Sequence, residues 1–184
     1  FMPEHLIGRL RVTRFPEFSG FLPFTPGRPA SPDSLASMVA LYDGGIRTAD
    51  FWVGEVVREL KRRGLFENTL IVVTADHGEE FFDHGGWGHG QSLHQELLHV
   101  PLILSGPEME PARGRRLPHL VRHVDLVPTI LEVCGLPAGE HLAGQSLLPI
   151  VRGEESPEPA RPVYSEVDFG GRAARSLREG GLKV

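Results

Sequence analysis

The sequence holds one cysteine among 184 residues, Cys134, which excludes an internal disulfide and any metal site built from several thiolates. Cys134 closes an apolar helical pattern, so a buried and unreactive thiol is expected there. No apolar run approaches the roughly 20 residues of a membrane span, and no low-complexity tract interrupts the chain. Nor is there an excess of positive charge. Lys and Arg number 19 against 24 Asp and Glu, a net −5, and no basic stripe alternates with aromatics, so nucleic acid is excluded as the expected partner. Phe1-Met2-Pro3-Glu4 lacks the basic and apolar regions of a signal peptide. Both ends read as cuts within a longer protein. The length suits one α/β domain with a core and is too short for two large ones.

Residues 1 to about 30 are rich in Pro, Gly and Phe without a sustained period, and Pro16, Pro23, Pro26 and Pro29 forbid a long helix there. Ser31-Pro32 then predicts a helix start, with Ser31 as N-cap and Pro32 in the first helical position. Leu35, Met38, Val39, Tyr42, Ile46, Val53, Val57 and Leu60 recur at helical spacing up to Arg63, and Gly64 supplies the stop. Gly44-Gly45 inside this pattern costs about 1 kcal/mol per glycine relative to alanine, which a kink or a close backbone approach would explain.

Thr69 to Ala75 is apolar on both faces and β-branched, the pattern of a central parallel strand covered on both sides. A second strand is expected over Val100–Leu104. A short helix, Leu126 to Cys134, follows with Asp125 as cap and Gly135 as stop. The Glu/Pro-rich stretch to Pro159 reads as a linker, and Val163–Glu166 as a short strand. Together these are α/β units with an incomplete sheet.

The chemistry gathers where the first strand ends, at Thr74-Ala75-Asp76-His77-Gly78-Glu79. Open α/β sheets bind ligands outside the carboxyl ends of their strands. A carboxylate beside an imidazole suits a divalent cation, although a closed site needs about four ligands for Zn²⁺ and about six to eight for Ca²⁺. Asp76 capping a helix beside a surface histidine is the competing account. Downstream, Asp83-His84-Gly85-Gly86-Trp87-Gly88-His89-Gly90 forms a glycine-rich loop. His89 between two glycines is placed to touch a ligand, against the alternative of a tight turn that faces it to water. His84 and His94 read first as ordinary polar positions, His99 as structural, and Trp87 either as loop packing or as a stacking platform.

The ordered set Tyr42-Asp43-Gly44-Gly45-Ile46-Arg47-Thr48-Ala49-Asp50, Asn68 to Glu79, Gly88-His89-Gly90, Val100-Pro101-Leu102-Ile103, Val124 to Leu131 and Leu142 to Leu147 resembles the sulfatase family of the alkaline-phosphatase superfamily. Arg175-Ser176-Leu177-Arg178 and Leu182-Lys183-Val184 resemble a strand pair late in such enzymes. The resemblance implies the C-terminal portion of an alkaline-phosphatase-like three-layer α/β sandwich. Residues 1–153 would belong to the catalytic domain and 154–184 to a linker and the start of a small C-terminal subdomain.

The same resemblance implies that Asp76 and His77 are the later pair of metal ligands, to Ca²⁺ in sulfatases, or to Zn²⁺ or Mn²⁺ if the chain is phosphotransferase-like. His89, thirteen residues after Asp76, stands where many sulfatases carry a sulfate-contacting lysine. In related phosphoethanolamine transferases a histidine at this spacing contacts phosphate or a second metal. His89 is thus the expected catalytic and substrate-binding residue, with a small-molecule or glycan sulfate ester as substrate. A phosphoryl or phosphoethanolamine transferase, a phosphodiesterase and a non-catalytic metal-binding fragment are the alternatives. His5 corresponds at most to a substrate-side histidine of the family.

The family's nucleophile motif, Cys/Ser-x-Pro-x-Arg, is missing from the sequence, as Cys134 is followed by Gly-Leu-Pro-Ala. The chain alone is therefore expected to be inactive and to need an N-terminal half carrying the nucleophile and the first metal-binding aspartates. Export or a periplasmic location follows only by analogy with the family.

Overall fold

The computed structural model describes residues 32–154 and 162–184. The expected N-terminal loop, the Ser31 cap, His5 and most of the 154–159 linker lie outside these residues.

Helix α1, Pro32–Arg62, begins on the proline the sequence places first and carries Asp33 in its first turn and Lys61 and Arg62 in its last. Those charges complement the helix dipole. The chain leaves it through Gly64 at φ 68°, a left-handed conformation that glycine adopts without a Cβ penalty. The helix runs continuously through Gly44-Gly45, and no described atom lies within 4 Å of a Cβ built at either position. Close backbone approach is therefore not what these glycines serve among the described residues. Ile46, Phe51, Trp52, Val53 and Val56 are exposed there, while Tyr42 meets Phe81 edge-to-face at 5.2 Å.

Strand β1, Ile71–Thr74, leads to the site. It is followed by the two-residue strands β2, Glu80–Phe81, and β3, Trp87–Gly88, which pair with each other, and by the one-turn helix α2, Gln95–Leu98. Strand β4, Leu102–Ser105, then runs antiparallel to β1, with Ile71 opposite Ser105 and Thr74 opposite Leu102. This corrects the expectation of a parallel strand buried on both faces: Ile71, Val72 and Val73 are only half-buried. A β-branched apolar run specifies burial potential but not direction, and residues 75–101 hold a small ribbon rather than a crossover helix. Strand β4 also starts two residues later than expected, because Pro101 has no N–H to give the ladder.

Behind β4 lies the apolar core of Met109, Leu148 and Val151, packed against Leu70, Leu104, Ala112 and Val133. Met109 belongs to the 3₁₀ turn Pro107–Ala112, and Leu148 and Val151 to helix α4, Leu148–Arg152. Gly106, at φ 156°, admits the chain where a Cβ would stand 2.9 Å from the Leu70 Cα.

Helix α3, Leu126–Val133, occupies the expected span and ends at Gly135, φ 67°. Asp125 does not cap it with its side chain. The carboxylate instead accepts the backbone N–H of Arg122 and of Gln145, each at 2.9 Å, and pairs with the Arg122 guanidinium at 2.8 Å. The 3₁₀ turn His123–Asp125 points the carboxylate back along the chain, away from the first N–H groups of α3. Cys134 is exposed, a second correction: α3 buries the side that carries Pro128 and Thr129, and the cysteine sits past that face as C-cap.

The remaining strands, β5, Val163–Phe169, β6, Arg172–Glu179, and β7, Leu182–Lys183, make a separate antiparallel sheet. Gly170 and Gly171, at φ 60° and 77°, form the two-residue turn between β5 and β6. Among the described residues no helix is long and apolar enough to cross a membrane.

Candidate metal and ester site

Strand β1 stops at Thr74 because the chain turns under α2. The Gly78 N–H donates to the Leu97 carbonyl at 2.9 Å, and a Cβ at Gly78 would overlap the Glu96 carbonyl oxygen at 1.8 Å. His123 reaches over from its 3₁₀ turn, with Nε2 2.9 Å from the Ala75 carbonyl oxygen. Asp76 and His77 are thereby held at the end of the strand, both exposed.

The Asp76 carboxylate accepts the His77 backbone N–H at 3.0 Å. That bond, helped by the His77 imidazole, holds the Asp76 carboxyl below the usual carboxylate range, so it is anionic at neutral pH. His77 Nδ1 lies 2.8 Å from the Gly78 carbonyl oxygen, which can only accept, so Nδ1 carries the hydrogen and the Nε2 lone pair remains free. Nε2 stands 3.6 Å from Asp76 Oδ2. Two ligands each about 2.0–2.6 Å from one ion can be that far apart, so the pair fits a single divalent cation. Among the described residues, no third His, Cys, Asp or Glu forms a ligand group with them.

Facing this pair is His89. Gly88 and Gly90, at φ 84° and 82°, let the loop present it, and its ring stacks on that of His77 with centroids 4.1 Å apart. Its Nδ1 is 3.0 Å from Glu79 Oε2. Asp76, His77, His89, Gly90, Ser92 and His123 border one groove, to which the glycine-rich loop contributes His89 and Gly90.

The rest of the loop packs on itself and on α2. Trp87 packs edge-to-face on Phe81 at 5.3 Å and stacks on Phe82 at 5.8 Å, which answers the alternatives in favour of loop packing. His84 Nδ1 bonds Glu96 Oε1 at 2.6 Å, and its ring stacks on His94 at 3.8 Å. Burial pushes the Glu96 carboxyl up, yet backbone N–H donation and His84 outweigh it and leave it below its ordinary value. Buried Glu80 accepts the Gly86 N–H at 2.9 Å and the Ser92 hydroxyl at 3.3 Å. Ligand atoms of Glu80, His84 and Glu96 lie within 4.8 Å of one another, but these hydrogen bonds already engage them. Strands β6 and β7 add two holds at the start of α2: Arg178 Nη1 donates to Gln95 Oε1 at 2.7 Å, and Lys183 Nζ donates to the Leu93 carbonyl.

The structure brings Asp76, His77 and His89 together as neighbours, and it supplies the partners of Glu79, Glu80, Glu96 and His123, to which sequence reading had no access. The Glu79 carboxylate makes its contact with His89. Each of these contacts spans ten or more residues except Glu80 to Gly86, and no local period announces them.

The Sulfatase family model matches residues 13–136. The chain belongs to the sulfatase family. Arylsulfatase K of Xenopus laevis is 34% identical over 112 residues, covering 61% of this chain and 20% of that protein. Arylsulfatase K of Canis lupus familiaris is 32% identical over 111 residues, covering 60% of this chain and 20% of that protein. The chain thus spans about a fifth of the length of these curated relatives.

Among solved structures, the phosphonate monoester hydrolase SpPMH from Silicibacter pomeroyi superposes with a TM-score of 0.74 at 30% identity, over 84% of this chain and 33% of that one. BT1596, a 2-O GAG sulfatase, gives 0.73 at 25% identity, over 81% and 33%. The architecture is that of the alkaline-phosphatase-like α/β fold, of which the described sheets form an incomplete part.

Proposed function

We propose that this chain carries the later half of the active site of a metal-dependent sulfuric ester hydrolase. The observation that carries the reading is the convergence of Asp76 Oδ2, His77 Nε2 and the His89 ring at one strand end. Asp76 and His77 would hold the cation, Ca²⁺ by the family's preference, and a bound divalent ion would withdraw charge from the non-bridging oxygens of the ester. His89 would contact those oxygens or protonate the departing alcohol oxygen, roles an imidazole can fill near neutral pH. Water completes the reaction, giving an alcohol and inorganic sulfate.

The substrate in this reading is a small-molecule or glycan sulfate ester. The nucleophile and the first metal-binding aspartates would come from an N-terminal half, so the 184 residues alone would be inactive. Residues 1–153 would belong to the catalytic domain and 154–184 to the linker and a small C-terminal subdomain, in keeping with the separate hydrogen bonding of β5–β7.

The deciding experiment assays the full-length protein containing this chain on matched aryl sulfate and aryl phosphonate esters. Faster turnover of the sulfate is expected. Preferential turnover of the phosphonate would overturn the assignment in favour of phosphonate hydrolysis.

A further inference from the structure

Both imidazoles of the site spend Nδ1 on the protein. His77 gives it to the Gly78 carbonyl and His89 to the Glu79 carboxylate, at 2.8 and 3.0 Å. A carboxylate anion has no hydrogen to give, so the His89–Glu79 contact requires a hydrogen on His89 Nδ1. In the neutral ring, the lone pair then resides on Nε2.

The Glu79 side chain is only 20% exposed, and its other oxygen lies 3.6 Å from the Cβ position of Gly88, so the carboxylate is wedged beneath the turn that bears His89. The next residue, Glu80, pins Gly86 and Ser92 on either side of that turn. Two consecutive glutamates therefore fasten the loop to the strand end, and only Glu79 acts on the histidine ring itself.

We infer that Glu79 is a positioning residue for His89: it fixes the Nδ1–H tautomer and the ring plane, so that Nε2 is the atom offered to the substrate. This deepens the ester-hydrolase reading and rests on it for its catalytic consequence, while the tautomer stands independently.

Two measurements test this. In the 184-residue chain, long-range ¹H–¹⁵N correlation of the imidazoles, at a pH where His89 is neutral, should show His89 as the Nδ1–H form. Glu79→Ala should return it toward the Nε2–H form, and Glu79→Gln, whose amide oxygen accepts the same hydrogen, should keep Nδ1–H. Observation of Nε2–H at His89 in the unsubstituted chain overturns the inference whatever the enzyme does.

In the full-length protein, Glu79→Ala should lower kcat for an aryl sulfate about 10- to 100-fold, in the range of outer-shell partners of functional histidines, with KM changing much less. Glu79→Gln should restore most of that kcat. In a His89→Ala background Glu79→Ala should cost little more, because the ring it positions is gone. Fully multiplicative losses would assign Glu79 a purely structural role and overturn the inference. An inert full-length protein with Nδ1–H at His89 would instead sink the hydrolase reading and leave the tautomer assignment supported.

Discussion

His77 and His89 stack with ring centroids 4.1 Å apart and planes inclined by 30°, joining the end of β1 to the tip of the glycine-rich loop. They lie twelve positions apart in sequence, and the contact brings the Asp76-His77 strand end and the loop bearing His89 together. Both rings spend Nδ1 on the protein and stacking leaves the Nε2 edges open, so under the proposed function His77 would serve a cation through Nε2 while His89 faces an ester.

Removing Asp76 should therefore remove the metal and not the fold. The carboxylate is exposed, accepts the neighbouring His77 N–H and lies outside the apolar core. Asp76→Ala in the full-length enzyme should abolish Ca²⁺-dependent ester hydrolysis, by about 100-fold or more, with a change in stability of no more than about 0.5 kcal/mol. Activity within a few-fold of the unsubstituted enzyme would take Asp76 out of the site.

Gly78 is the residue on which the site's backbone depends. An alanine there would place Cβ on the Glu96 carbonyl oxygen, a backbone atom that cannot rotate aside. Gly78→Ala should destabilise the protein by about 1–3 kcal/mol, and displace α2 from the strand end. Thermal melting alongside Ca²⁺ titration checks this; an unchanged melting temperature with unchanged metal affinity would contradict the described packing.

Local patterns in the sequence were enough to place α1 to within a residue, since Pro32, the 3.6-residue apolar period and Gly64 each act through near neighbours. The strand-end place of Asp76-His77 and the glycine turn that carries His89 were legible because both features are local too. What escaped depended on distant partners. The antiparallel pairing of β1 with β4 cannot be read from an apolar run, and Asp125 looked like a helix cap because its partner Gln145 lies 20 residues away. Cys134 lies one position past the apolar face, where periodicity continues on paper and burial does not.

Thr129 shows how much a long-range partner can matter. Its side chain is 1% exposed, its hydroxyl donates to the Asp125 carbonyl at 2.6 Å, and the same oxygen accepts the Leu147 N–H at 2.9 Å. Thr129→Val keeps the shape and deletes both bonds, leaving the buried Leu147 N–H without its acceptor. A loss of about 1–3 kcal/mol is expected, read as a lower denaturant midpoint with an unchanged slope. A neutral result would mean that Leu147 finds another acceptor.

At the C-terminal end of α1, Glu59 bonds Arg62 at 2.7 Å and Arg63 at 2.6 Å. The Arg62 hydrogen bond, then that of Arg63, draws its carboxyl from 4.5 down to about 2. The sign follows from linkage: a folded-state value below the unfolded one contributes stability that is fully present above pH 4.5 and is lost as pH falls from there through about 2. Because the pair is exposed, the contribution is small and screened by salt, so titration is a sharper probe than melting. The ¹³C shift of the Glu59 carboxyl should titrate with a midpoint near 2 in low salt. Replacing both Arg62 and Arg63 by glutamine should return the midpoint toward the ordinary glutamate value. An ordinary midpoint in the unsubstituted chain would mean that neither guanidinium holds the carboxylate in solution.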